Sequence, residues 1–449
     1  MRHLYSLLWW LAMPLVLARL WWRGRHEPGY RQHWGERLGW YRKPVANSAE
    51  NPAVPTLWVH AVSVGETRAA QPLIDALLAA HPAHRIVLTH MTPTGRATGA
   101  ALFAHHGARL VQRYLPYDLG SMVGRFLRAY EPQACILIET EVWPNLVAQC
   151  NRRAVPVVLV NARLSARSLA RGLRMQGLLG AAARGLAGAG AQTAADAARL
   201  AQMGVEQVTV TGSIKFDVLP PAAQAEQGRA WRTRFGNRSV LLFASTREGE
   251  EEAILAALAV VPVDALLVIV PRHPQRFDAV ADLITARGLR LARRSTLGEA
   301  PLTASTQVLL GDSMGELFAY YAAADLAFIG GSLLPLGGQN LIEACAVGTP
   351  VLIGPSSFNF AAVTEEAIDA GAALRVDDAP ALLATAQAVL ADAAVRRAMA
   401  GAAQAFAEQH RGATARTMRM LETVLPAIFA KQTPEAARPV AAVTGKFNA

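Results

Sequence analysis

Short apolar runs recur along this chain, separated by longer stretches whose apolar residues return at helical spacing. In the first half the runs are Leu57–Val62, Arg85–Thr89, Arg109–Leu115, Ala134–Ile138, Val155–Val160 and Val208–Thr211. In the second half they are Val240–Ala244, Leu266–Val270, Val308–Leu309, Leu326–Ile329 and Val351–Ile353. Strands that alternate with helices predict parallel sheets with right-handed crossovers. In such sheets ligands gather at the carboxyl ends of the strands. Between the halves, Asp217 to Asn237 holds Pro220-Pro221 followed by Ala, Gln, Gly and charged residues, which reads as a linker. The pattern therefore predicts an α/β chain with two Rossmann-like, doubly wound domains, residues 26–217 and 239–431, facing across a cleft and joined by a linker at 218–238. Helical spacing runs from about Leu390 to Lys431, and residues 432–449 read as a loose polar tail.

The amino-terminal pattern differs. Leu4 to Trp22 is nearly all apolar, broken by Pro14 and Arg19, and a bilayer span needs about 20 residues. No small-residue cleavage site follows; the run ends in Arg19, Trp21-Trp22, Arg23 and Arg25, so residues 1–25 read as a retained membrane anchor. Arg19, Arg23, Arg25, Arg31, Arg37, Arg42 and Lys43 outnumber Glu27 and Glu36, which places the rest of the chain on the cytoplasmic side. A buried amphipathic helix and an interfacial helix that never crosses are the alternatives.

Composition narrows the class. The 449 residues suffice for two or three domains, and 52% apolar with 17% charged residues excludes a disordered chain. The net charge of +10 favours anionic partners: nucleic acid, phosphates or an acidic membrane. No aromatic-and-basic nucleic-acid motif appears, so nucleic acid is not an expected partner. Cys135, Cys150 and Cys345 are far apart in sequence and read as core residues of a reducing compartment, with no metal-ligand spacing.

Candidate chemistry lies past the strand ends. His60-Ala-Val-Ser63-Val-Gly65-Glu66-Thr67 puts Glu66 in the first turn of a helix, as a general base or as a plain partner of the helix dipole. In Glu139-Thr140-Glu141, two carboxylates face the same way on an extended segment, which raises one pKa; helix capping before Pro144 is the alternative. Lys215 in Gly212-Ser213-Ile-Lys215-Phe-Asp217 is a cation for a phosphate or carboxylate, or else a surface partner of Asp217. Met91–Gly95 and Asn161–Ser165 also follow strands and are candidates for holding an acceptor. In the second half, Pro271-Arg272 offers a guanidinium suited to phosphate. Met314-Gly315-Glu316 opens a helix, and Gly330-Gly331-Ser332 through Gly337-Gly338 to Asn340 forms a glycine loop between strand and helix, where free backbone N–H groups meet phosphates. Glu343 is placed to take ribose hydroxyls. The chain holds no Asp-x-Asp, so nothing points to a metal–nucleotide clamp.

These blocks, in this order from Tyr30–Arg37 to about Phe360, resemble the 3-deoxy-D-manno-octulosonic acid (Kdo) transferases of lipid A biosynthesis, a family of GT-B glycosyltransferases. The resemblance implies inverting transfer of Kdo from CMP-Kdo to a hydroxyl of tetra-acylated lipid A precursor, without metal or cofactor, on the cytoplasmic face of the inner membrane. It implies Glu66 as base, with Glu139 and Lys215 as transition-state stabilisers. It implies Pro271, Arg272, Met314, Gly315, Glu316, Asn340, Leu341, Ile342 and Glu343 as CMP-binding segments. The prolines common in the family beside that Asn and after that Glu are absent from Asn340-Leu341-Ile342-Glu343-Ala344. An ordinary Glu, near pKa 4.3, is a weak base, so proton transfer is expected late, with site closure raising the pKa. The rival readings are a non-hydrolysing epimerase on the same fold and a membrane-tethered binding protein without catalysis.

Overall fold

A computed structural model of the chain describes residues 1–25, 27–41, 54–217 and 220–429. It divides into two compact units, residues 1–214 together with the segment from Gly412 onward, and residues 215–411. The polar tail at 432–449, and Arg42 and Lys43 of the basic collar, lie outside the described residues.

The first unit carries a seven-stranded parallel sheet: β1 (Thr56–His60), β2 (Arg85–His90), β3 (Leu110–Tyr114), β4 (Ala134–Ile138), β5 (Val157–Ala162), β6 (Gly188–Ala191) and β7 (Val208–Val210), in the order β3-β2-β1-β4-β5-β6-β7. All seven strands are parallel; the order in which the chain adds strands across the sheet reverses between β1 and β4. The central strands are buried on both faces. Leu57 and Val59 join one core cluster, and Trp58 joins the other. This is why their sequences are continuous apolar runs rather than alternating ones.

The second unit repeats the plan: β8 (Val240–Thr246), β9 (Leu266–Pro271), β10 (Leu291–Arg293), β11 (Val308–Leu310), β12 (Leu326–Ile329), β13 (Val351–Ile353) and β14 (Ala373–Arg375), in the order β10-β11-β9-β8-β12-β13-β14. Here the reversal falls between β8 and β12. In open sheets of this kind the crevice at the reversal is the ligand position.

The boundaries differ from those the pattern predicts. Residues 222–234 are not a loose linker but a helix, which buries Trp231 against the second unit. It lies so close to the helix Leu317–Ala323 that a Cβ on Gly228 would come within 2.5 Å of the Ala319 carbonyl oxygen. The helix Ala413–Val424 belongs to the first unit rather than the second. Its Met420 and Leu421, with Leu425 and Phe429 beyond it, join the core cluster of Leu57 and Leu73.

The amino-terminal helix, Arg2–Arg23, is long and apolar enough to cross a membrane. One side of it packs on the first unit. Met13 joins a cluster with Tyr117, Leu119 and Met122, and the Trp9 ring lies 5.8 Å from that of Tyr117. Leu4, Leu7, Leu8, Leu11, Leu15 and Trp22 are exposed on the other side.

Candidate active site

In the first unit, β1 ends at His60 and the chain turns at Val62–Ser63 into the helix Val64–Ala69. Glu66 lies in its first turn. Its carboxylate folds back to accept the Val62 N–H at 2.7 Å and the Ser63 hydroxyl at 3.3 Å. Burial, reinforced by the charges of Glu139 and Glu141, raises its pKa from 4.5 to about 7 despite those two bonds. A carboxylate with that pKa is ionised in part near neutral pH, the range in which a general base has to work.

Several segments hold this turn in place. The Met91 N–H and the Thr92 hydroxyl both donate to the Val62 carbonyl, at 3.1 and 3.4 Å. Thr92 also caps the helix Pro93–Leu102 by accepting the Gly95 N–H at 3.1 Å. Gly95 packs so tightly that a Cβ there would meet the Ser63 backbone at 3.3 Å. Met91–Gly95 is therefore the support of the Glu66 turn. Beneath it, His60 and His90 are buried and bonded to Thr89 and to the Ala61 carbonyl. Burial pushes their pKa values down to about 3 and about 4, so both imidazoles are neutral braces at working pH.

Glu139 follows β4, on the far side of the reversal, and adopts φ of 67°, which a residue with a side chain occupies only under constraint. Its N–H donates to the Val160 carbonyl at 3.0 Å, and its carboxylate lies 3.5 Å from Asn161 Nδ2. Asn161, also at positive φ, accepts the Ile214 N–H on Oδ1 at 3.1 Å. One buried amide thus ties the Glu139 loop to the segment leading into Lys215. Residues 139–140 thus form a turn rather than the extended segment the pattern predicts; burial raises the Glu141 pKa, and the charge of Glu139 adds to it. The structure brings Glu66, Glu139 and Glu141 together. Lys215 belongs to the second unit, where its Nζ lies 6.0 Å from the centre of the Phe360 ring.

In the second unit, Pro271 ends β9 beside β8, and Arg272 follows. The Arg272 N–H donates to the Thr246 carbonyl at 2.9 Å and its Nε to Gln339 Oε1 at 3.3 Å. Arg247 follows β8 on the neighbouring strand. Burial lowers the pKa of His273, and the charges of Arg247, Arg272 and Arg276 lower it further. Arg276 is paired with Glu251 at 3.0 Å. The carboxyl ends of β8 and β9 therefore present a guanidinium cluster suited to anionic oxygens.

The glycine loop is built differently from the expectation. Glu250, fully buried, accepts the N–H groups of Gly331 and Leu333 on its two oxygens at 2.7 and 3.0 Å, and that of Arg247 at 2.8 Å. The N–H groups after β12 that were candidates for a phosphate are thus held by a carboxylate of the chain itself. Gly330 lets β12 approach β8; a Cβ there would fall 2.4 Å from the Ser245 carbonyl oxygen. Leu341 and Ile342 are core residues, so their side chains are not available to a nucleotide. Asn340 accepts the Ile342 N–H at 3.0 Å and lies 3.4 Å from Glu343, which leaves these two as the polar groups of that segment. Glu316 bonds Gln227 at 2.6 Å, Arg294 at 2.8 Å and the Ser313 hydroxyl. Burial pushes its pKa up, but these bonds together hold it below the ordinary value. Its carboxylate thus braces the helix start, while Met314 beside it is exposed and Gly315 has φ of 81°.

Residues 32–218 match the family model described as 3-deoxy-D-manno-octulosonic-acid transferase (kdotransferase). A 3-deoxy-D-manno-octulosonic acid transferase of Bordetella pertussis is 46% identical over 434 residues, covering 94% of this chain and 99% of the relative. The chain belongs to the Kdo transferases. A member from Haemophilus influenzae is 37% identical over 94% of this chain and 99% of its own length. A glycosyltransferase structure from Rickettsia africae superposes with a TM-score of 0.55 at 12% identity, covering 84% of this chain and 99% of that one; it shows the fold alone. This Kdo transferase has the two parallel-sheet α/β domains of the GT-B class.

Three residues at the carboxyl end of β8, beside the candidate site, escaped the sequence reading: Arg247, Glu250 and Glu251. All three lie in Thr246-Arg247-Glu248-Gly249-Glu250-Glu251. The signal was available. This block follows the first strand of its domain and turns into a helix through a Gly-Glu pair, as Ser63-Val-Gly65-Glu66 does after β1.

Proposed function

We propose that this enzyme transfers Kdo from CMP-Kdo to a hydroxyl of the tetra-acylated lipid A precursor with inversion. The observation that carries the reading is the Glu66 carboxylate at the sheet reversal, half-buried, held by Val62 and Ser63, with its pKa raised to about 7. Glu66 takes the proton of the acceptor hydroxyl as its oxygen bonds to the anomeric carbon of Kdo. The bond from that carbon to the CMP phosphate breaks on the opposite face, and its electron pair leaves with CMP. Positive charge grows on the sugar in such displacements, which Glu139 is suited to stabilise. Negative charge grows on the departing phosphate, and Arg272 and Arg247 are suited to meet it, with Lys215 a further cation. Because guanidinium groups balance the leaving group, the reading is metal-independent. CMP-Kdo carries its own activated bond, so no cofactor is called for.

The acceptor is a lipid, and the amino-terminal helix fits that. We place the catalytic units on the cytoplasmic side of the inner membrane, with the helix lying in the interface. Its Met13 and Trp9 side is already committed to the protein, and its leucine side is free for acyl chains.

The test is mass spectrometry of purified protein with CMP-Kdo, tetra-acylated lipid A precursor and EDTA, beside Glu66→Ala. Kdo addition in EDTA, lost in a variant that still binds CMP-Kdo, is the expected result. Loss of transfer in EDTA would remove metal independence. Binding of CMP-Kdo without transfer would remove the acceptor, and no binding of CMP-Kdo would remove the donor.

A further inference from the structure

Outside the candidate active site, the fold assembles a set of metal-ligating side chains that no motif in the sequence marks. Asp75 lies on the helix Gln71–Ala80, and His105 and His106 lie on the short turn Ala104–Arg109 that leads into β3. Asp75 Oδ1 is 2.7 Å from His106 Nε2 and 3.6 Å from His105 Nε2. One ligand atom from each residue lies within 4.8 Å of the others. The turn precedes β3, so the cluster lies toward the amino ends of the strands, away from Glu66 and Glu139 at the carboxyl ends.

Neighbouring residues on a regular helix point about 100° apart and do not share a partner. Here the helical turn breaks at Gly107, with φ of 55° and ψ of −131°, and the two imidazole rings lie 3.9 Å apart between centroids. The turn is fastened independently of the cluster. Arg109 Nη2 donates to the carbonyls of Leu78 and His81 at the end of the Asp75 helix, at 2.7 and 3.0 Å, and Phe103 is buried beneath. His105 stands at ion-pair rather than hydrogen-bond distance from Asp75.

We propose that Asp75, His105 and His106 form a binding site for a zinc ion. Zinc bonds of about 2.0–2.2 Å in tetrahedral geometry put ligand atoms about 3.3 Å apart. The 3.6 Å separation is already close to that value, and the 2.7 Å separation is an Asp75–His106 hydrogen bond that the ion would replace by spreading the pair to about 3.3 Å. Two imidazoles and a carboxylate favour zinc over magnesium or calcium, which take oxygen ligands. His105 is 57% exposed and His106 13% exposed, so the site opens to solvent on one side, where water completes the coordination. Bound zinc would staple the lead-in of β3, an edge strand, to the helix beneath it.

The experiment uses the full-length, tag-free protein, stripped with EDTA and exchanged into metal-free buffer. Co²⁺ is titrated by visible absorption and Zn²⁺ by competition, with Mg²⁺ as control. One equivalent of Co²⁺ with the absorption of a low-coordinate site, displaced by Zn²⁺ and not by Mg²⁺, is expected. Asp75→Asn and His105→Gln each weaken it at least about tenfold, as loss of an inner ligand should exceed the outer-partner effect. In EDTA both variants melt with the parent, because Arg109 and Phe103 still hold the turn. Absence of stoichiometric Co²⁺ binding, or binding that both variants retain, overturns the site.

Discussion

Replacing Glu66 by glutamine should remove activity and stabilise the protein, and the two effects have one cause. Burial sets the Glu66 pKa at about 7 against an ordinary 4.5. At about 1.4 kcal/mol for each tenfold in proton affinity, ionising Glu66 in the folded chain costs about 3 kcal/mol more than in the unfolded one. Because the folded pKa is the higher, the folded state loses stability as pH rises from 4.5, and the loss is complete above about 7. Below 4.5 the group is protonated in both states and costs nothing. Glutamine never ionises, and its amide oxygen can still accept the Val62 N–H. Glu66→Gln should therefore be more stable than the parent by about 3 kcal/mol at pH 8. In a unit of this size that is about 6–12 °C in the melting transition.

The assay is scanning calorimetry of both proteins in one detergent at pH 8 and pH 5, with a transfer assay at pH 8. At pH 5 the folded carboxyl is nearly all protonated, and the stability gap should shrink to about a quarter of its pH 8 value. Transfer should fall by about 10²–10⁴, the usual contribution of a positioned base. A gap of equal size at both pH values would show that the substitution acts through packing and not through the charge. A variant less stable than the parent at pH 8 would refute the claim that the carboxylate is held at a cost. Either result removes the physical basis for Glu66 as a base tuned by burial.

The same pKa predicts that kcat/KM for transfer rises with pH up to about 7 and then levels, because the base must be ionised; Glu141→Gln, which removes one neighbouring charge, should move that limb to lower pH, and a profile flat between pH 5 and 8 contradicts the assignment. Glu250→Ala strands the buried N–H groups of Gly331 and Leu333, at about 1–3 kcal/mol each. It should destabilise the second unit in urea melts and weaken CMP-Kdo binding, whereas an unchanged midpoint would mean the loop holds its shape without that carboxylate. Replacing Leu8, Leu11 and Leu15 by aspartate should abolish co-sedimentation with anionic vesicles while leaving the melting temperature unchanged, since these side chains are exposed; retained binding would move the membrane contact elsewhere.

What the sequence could and could not reveal follows from the forces involved. Long apolar runs such as Ala134–Ile138 identify themselves, because a strand buried on both faces admits nothing else. The strand at Gly188–Ala191 does not, because Gly-Ala-Gly-Ala has no β-branched residue, and neighbours on both sides impose its conformation. The strands missed in the second unit, Leu291–Arg293 and Ala373–Arg375, are the sheet's two edges, too short to show a period. The helix at 222–234 was hidden by its own composition, Ala, Gln and Arg with little apolar periodicity, which only Trp231 relieves. At the sites, the acids and bases following strands were legible because the fold sends ligands there. Charge compensation was not. Glu250 and Glu343 are both acids in the first turns of helices, yet one is fully buried on three backbone N–H groups and the other lies beside Asn340 at the end of the glycine loop. Sequence spacing predicts that a carboxylate arrives at a strand end. Whether it meets a ligand or the chain's own amides depends on how closely two strands approach, and that distance is set by Gly330 against Ser245, residues whose proximity no local pattern encodes.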